Sequence, residues 1–157
     1  RLLIEALPSL ADATLMLAGT GESEAALRGL AKQLGVSERV RFMGAVPHDD
    51  LPALFAAADI MALVSSSEGL ANAWVEALAC GTPIVASDVG GIRELMKNDA
   101  AGRIVAQDPQ AIADAVQSIL ASPPQPADVT ANVQAFSWKE NACQLADFFR
   151  TVSGRKG

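Results

Sequence analysis

The sequence has no tyrosine, one histidine (His48), two tryptophans and two cysteines in 157 residues. Each scarcity closes off a class of protein. Cys80 and Cys143 are too few for a disulfide framework, and neither lies in a C-x-x-C or Cys/His cluster. Reduced thiols and a cytoplasmic setting are therefore expected. A lone histidine and the lack of a D-x-D triplet leave no recognisable metal motif. Twelve lysines and arginines stand against 18 acidic residues, a net charge of -6. That balance argues against a nucleic-acid or anionic-membrane surface, because both need clustered cations. No apolar run reaches the ~20 residues that span a bilayer, and no signal peptide is expected. Hydrophobic residues make up half the sequence and charged ones 19%, a globular composition sufficient for the core of one domain.

What is present alternates in α/β fashion. The chain opens at Arg1-Leu-Leu-Ile-Glu-Ala-Leu as a helix already under way, expected over Leu2 to Leu10, so a fragment or excised domain is expected. Short, nearly continuous apolar runs read as strands covered on both faces: Thr14–Ala18, Asp59–Val64, Pro83–Ala86 and Gly102–Ala106, with Arg39–Met43 alternating. Between them, helical spacing predicts helices over Glu22–Leu34, Asp49–Ala57, Ala73–Cys80, Ile92–Met96 and Pro109–Leu120. Asp49 or Asp50 is the expected N-cap of the second of these. Ser122-Pro-Pro-Gln-Pro126 reads as a linker, and Ser137–Val152 as an amphipathic helix whose apolar face carries Ala142, Leu145, Phe148, Phe149 and Val152. The Phe148–Phe149 pair is expected to pack, and Ser153–Gly157 to fray. The pattern predicts a Rossmann-like parallel sheet with helices on both faces, and ligands beyond the carboxyl ends of its strands. Gly19–Gly21, Gly44–His48, Ser65–Asn72 and Ser87–Gly91 are the loops at that end.

One stretch carries chemistry. Ser65-Ser-Ser-Glu-Gly-Leu-Ala-Asn-Ala-Trp-Val-Glu76 runs from strand through loop into helix. The unpaired N–H groups around Ala71, Asn72 and Ala73 form an anion site at the helix start. Glu68 precedes that tip and Glu76 follows it. Carboxylates are acceptor-only and take two hydroxyls at once, which suits a sugar on one side of a diphosphate and a ribose diol on the other. Burial among Val75, Ala77, Leu78 and Ala79 is expected to leave Glu76 in need of a partner. The turn Gly19-Thr-Gly21 lacks the third glycine of a dinucleotide fingerprint, and no acidic residue ends the following strand, so a Rossmann dehydrogenase is excluded.

Glu68 and Glu76 resemble the E-x7-E signature of the retaining GT-B glycosyltransferases, the glycosyltransferase 4 family. The likeness continues in Ala18-Gly-Thr-Gly-Glu22, Arg39-Val-Arg-Phe-Met-Gly-Ala-Val46, Ala57-Ala-Asp-Ile60, Glu76-Ala-Leu-Ala-Cys-Gly-Thr-Pro83, Val89-Gly-Gly-Ile-Arg-Glu94 and Phe136-Ser-Trp138. It implies the C-terminal, donor-binding half of a GT-B enzyme, with the nucleotide-sugar domain over 1–121 and a linker and closing helix over 122–157. It further implies metal-independent transfer of a sugar from a UDP-, GDP- or ADP-sugar with retention of configuration. No cofactor is implied. By position, Glu68 faces the donor sugar as the catalytic carboxylate and Glu76 holds the ribose. Gly69, Leu70, Ala71, Asn72 and Ala73 meet phosphate and sugar, Gly19 and Gly21 form the first turn, and Val46 and His48 border the base. Ala71 departs from the Gly or Pro common there.

The resemblance places the Arg and Lys that neutralise the leaving diphosphate just before the equivalent of Arg1. It places the acceptor (a glycan, a lipid or a small molecule) on a further, N-terminal domain through which membrane-peripheral attachment is open. The chain alone is accordingly expected to be inactive. The competing reading is a catalytically silent sugar-nucleotide-binding or scaffold module of the same fold, against which the intact pair of acids weighs.

Overall fold

The computed structural model describes residues 1–154, so the end of the expected tail, 155–157, lies outside the described residues. The alternation read from the sequence is present. In chain order the elements are α1 (Leu2–Ala6), β1 (Leu15–Ala18), α2 (Glu24–Gln33), β2 (Val40–Gly44), α3 (Leu51–Ala57), β3 (Met61–Leu63) and α4 (Asn72–Ala79). They continue through β4 (Ile84–Ser87), α5 (Ile92–Leu95), β5 (Gly102–Val105), α6 (Pro109–Ala121), α7 (Pro126–Thr130) and α8 (Trp138–Ser153).

Local chemistry explains most boundaries. Pro8 cannot continue the hydrogen-bond ladder of α1, so the expected helix to Leu10 tightens into a 3-10 turn over Leu7–Ser9. Asp50 is the N-cap residue of α3, as expected, but its side chain makes no capping hydrogen bond; with Asp49 it lies in a 3-10 turn, His48–Asp50. Asp108 caps α6, accepting from Ala111 N at 2.9 Å, with Pro109 in the first turn, where its missing N–H costs nothing. Ser137 caps α8, accepting from Glu140 N at 3.1 Å. The linker stops earlier than expected, because Pro126 sits in the first turn of α7. That helix and the following 3-10 turn, Ala131–Val133, drive Val129 and Val133 into the core.

The strands are all parallel but fall into two sheets, β1-β2 and β3-β4-β5. β4 is paired on both sides and every residue in it is buried. Its side chains alternate between two layers: Ile84 and Ala86 meet Trp74 and Leu78 of α4, whereas Val85 meets Ala115 and Ile119 of α6. The β1-β2 sheet has helices on one face only. Leu15, Leu17 and Phe42 pack with Ile4 of α1, Leu7 and Ala31 of α2, while the opposite face exposes Met16 and Met43. α1 spans the two sheets, since Ile4 and Leu7 belong to that core and Ala6 packs with Leu10, Ile112 and Ala113 beside β5. The apolar stripe of α8 is the main departure. Phe148 is 61% exposed and Phe149 58%, and the two rings meet only edge to face, 6.0 Å apart. No helix among the described residues is long and apolar enough to cross a membrane.

Candidate functional site

β3 ends at Leu63, and the chain turns through Ser65–Ala71 before α4 begins at Asn72. The N-cap is Ala71, held extended at φ -68° and ψ 120°, and no side chain caps the helix. The alanine side chain has no oxygen to offer, and the Ala71 carbonyl is taken by Trp74 N at 3.0 Å, so the N–H groups of Asn72 and Ala73 are left to whatever lies beyond the tip. The tip is open: Asn72 is exposed and Leu70 retains 41% of its surface. Trp74, Ala77 and Leu78 are wholly buried and fix the direction of α4, which leaves Glu76 partly buried on another side of the helix. Burial, and then the charge of Glu76 one turn away, push the Cys80 thiol up. Glu68 is partly buried in the loop. The four ion pairs among the described residues (Arg1–Glu5, Arg28–Glu24, Arg93–Asp88, Arg150–Asp147) involve neither acid.

The loop carrying Glu68 is fastened at base and tip. At its base the Ser65 carbonyl accepts from the hydroxyl of Ser87, at the end of β4, and from Gln107 Nε2 at 2.7 Å. At its tip Gly91 N donates to Gly69 O at 2.8 Å. Sequence reasoning missed both side chains. Ser87 and Gln107 follow the carboxyl ends of β4 and β5, which is a positional hint, but bonds across 22 and 42 residues leave no local pattern. Beyond Gly91, Arg93 grips Asp88 through two hydrogen bonds, 2.8 and 2.6 Å, and holds its carboxyl below the ordinary aspartate value. Both side chains are exposed.

The other expected residues gather on the β1-β2 side. Gly19, at φ 122°, donates its N–H to Gly44 O at 2.7 Å, which joins the first turn to the loop that carries Val46 and His48. Val46 is partly buried and His48 exposed, while a Cβ at Gly21 would meet open space. Thus Gly19 is brought to the Val46–His48 loop, and Glu68 and Gly69 to Gly90 and Gly91. No backbone or side-chain hydrogen bond links these two groups among the described residues. Two cavities lie elsewhere: about 100 Å³ beside Arg28 and Phe42, and about 220 Å³ at the opposite end of the strands beside Cys80, Thr82 and Leu120. Among the described residues no three His, Cys, Asp or Glu side chains cluster to hold a metal ion.

Known proteins share this fold. The family model described as "Glycosyl transferases group 1" matches residues 1–136. A D-inositol 3-phosphate glycosyltransferase of Corynebacterium urealyticum is 33% identical over 96% of this chain and 38% of its own length. A GDP-mannose-dependent alpha-(1-6)-phosphatidylinositol monomannoside mannosyltransferase of Mycolicibacterium smegmatis is 33% identical over 99% of this chain and 44% of its own. Among solved structures, sucrose-phosphate synthase from Thermosynechococcus elongatus superposes with a TM-score of 0.85 at 30% identity, covering 99% of this chain and 42% of that one. Anabaena HepE in complex with UDP-glucose gives 0.83 at 27% identity, covering 96% and 44%. This chain therefore spans about two-fifths of the length of its relatives. A match over 136 of 157 residues and shared GT-B architecture place the chain in the group 1 glycosyltransferase family.

Proposed function

We propose that this chain is the donor-binding domain of a retaining glycosyltransferase, gripping a nucleoside-diphosphate sugar across the start of α4. The observation that carries the reading is the uncapped, open tip of α4 with Glu68 before it and Glu76 after it. Free N–H groups and the positive end of the helix favour a diphosphate there. Glu68, partly buried and outside every ion pair among the described residues, accepts from donor-sugar hydroxyls as the catalytic carboxylate, and Glu76 accepts from the ribose diol. Gly69, Leu70, Ala71, Asn72 and Ala73 supply the backbone between them. Gly19 and Gly21 leave room at the first turn, and Val46 and His48 border the base.

The intact enzyme binds its acceptor (a glycan, lipid or small molecule) on a second domain, works in the cytoplasm and needs no metal. Charge on the departing diphosphate requires cationic support. Arg93, which follows the Gly90–Gly91 turn, is already engaged by Asp88. This chain alone therefore binds donor without transferring it. HepE bound to UDP-glucose favours a UDP-sugar, whereas the mycobacterial relative uses GDP-mannose. An ADP-sugar is the third donor to test.

A thermal-melt panel with UDP, GDP, ADP and their sugar conjugates tests the reading. A ligand at about 100 times its Kd adds about 2.7 kcal/mol to stability. The expected result is a shift with one nucleotide, lost in Glu76→Ala. No shift with any donor overturns binding by this domain, and an equal shift in Glu76→Ala overturns the ribose role.

A further inference from the structure

We infer that Gly90 is a positioning residue, a backbone wedge that sets the place of Glu68. The inference rests on the donor reading above for what Glu68 does, but not for the contact itself. Gly90 adopts φ +55°, the left-handed region that side-chain-bearing residues enter at a cost. Conformation is the smaller part of the requirement. A Cβ at Gly90 would lie 1.9 Å from Gly69 O and 2.4 Å from Glu68 O, so the two backbones touch where only hydrogen fits. The next residue completes the junction, with Gly91 N donating to Gly69 O at 2.8 Å. A Cβ at Gly91 would stand 3.1 Å from Leu70 Cδ1, so this side of the turn is close-packed as well.

The base of the same loop is held independently by Ser87 and Gln107 on the Ser65 carbonyl. Seven residues are thus pinned at two points, and Glu68 lies at the second. Any side chain at 90 must push Glu68 and Gly69 outward, since the atoms it meets are backbone and cannot rotate away. Other left-handed glycines separate this effect from plain backbone strain. Gly35, at φ +70°, has nothing within 4 Å of its virtual Cβ and lies at the end of α2. Gly35→Ala carries the conformational penalty without the collision.

The test compares wild type, Gly35→Ala, Gly90→Ala, Gly91→Ala and Gln107→Met on the 157-residue chain. Gln107 is exposed, so its variant is expected to fold even where Gly90→Ala does not. The first readout is amide hydrogen exchange from Gly69 to Asn72, scaled to exchange in β4. Gly90→Ala is expected to speed it about tenfold and Gln107→Met by a smaller factor, with Gly35→Ala unchanged. The second is the affinity ratio of UDP-glucose to UDP. The wedge acts on the sugar side of the site, so Gly90→Ala should abolish the gain from the sugar and leave UDP itself within about twofold. A purely structural lesion would move both ligands together. Unchanged exchange in Gly90→Ala overturns the wedge, and if Gly90→Ala fails to fold so does unchanged exchange in Gly91→Ala, whose Cβ presses the same junction 3.1 Å from the Leu70 side chain. Faster exchange with both ligands weakened equally overturns the link to Glu68. A wild-type chain that binds neither these two ligands nor their GDP and ADP counterparts overturns the donor reading and leaves the wedge to be judged on exchange alone.

Discussion

Glu76 lies in the last turn of α4 and Cys80 is its C-cap, and the thiol pKa is raised first by burial and then by the Glu76 charge. The sign of the second effect makes a test. Glu76→Gln removes a negative neighbour that opposes thiolate formation, so the folded-state pKa of Cys80 falls and its reactive fraction at mildly alkaline pH rises. Alkylation of Cys80 by iodoacetamide, followed by mass spectrometry with exposed Cys143 as internal reference, should quicken about twofold. No change would mean that the carboxylate points away from this side of the helix. At this scale the sequence is uneven in what it discloses. The eight-residue interval between Glu68 and Glu76 follows from a loop running into a helix and is legible at once. Ser87, Gln107 and the collision at Gly90 arise only when distant loops meet, and no local pattern encodes them.

Among the elements, the carboxyl end of α1 concentrates more side-chain bonding than its length suggests. Arg39, just before β2, donates to Leu7 O at 2.9 Å, to Leu10 O and to Ala13 O at 3.4 Å. From the other direction Gln117 of α6 donates to Ser9 O at 2.9 Å. Carbonyls left over where the helix ends are thereby satisfied by residues from two different parts of the chain. Arg39→Met keeps the aliphatic stem but orphans these acceptors, and charged hydrogen bonds of this kind contribute about 1.5–3 kcal/mol. Denaturant titration should show a loss in that range, and a loss under about 0.5 kcal/mol would mean that water takes over the role. The sequence placed Arg39 at the head of a strand but could not disclose this bonding, which depends on a Pro8-broken helix end. Apolar runs identified every strand to within a residue or two. They could not reveal α7, hidden behind three prolines, nor what covers the stripe of α8.

For the whole molecule, the division into β1-β2 and β3-β4-β5 predicts unequal resistance to opening. β4 is paired on both sides and buried throughout, whereas β1 and β2 pair only with each other and expose Met16 and Met43. Native-state hydrogen exchange in low denaturant should therefore show β4 amides exchanging by global unfolding and β1-β2 amides by a cheaper, partial opening. Arg39→Met should widen the gap. A single opening free energy for all five strands would show that the halves unfold as one body.

The same division bears on how a long ligand is measured. The loop with Val46 and His48 belongs to one half-sheet and the acid-bearing loop to the other, and no strand ladder runs between them. The span between these two jaws is thus set by α1, the pivot on which both halves seat, with Ile4 in one core and Ala6 against Ile112 and Ala113 of the other. A molecule long enough to touch both jaws would act as a splint, and tightening or loosening the pivot would tune its grip without altering a single residue that it touches.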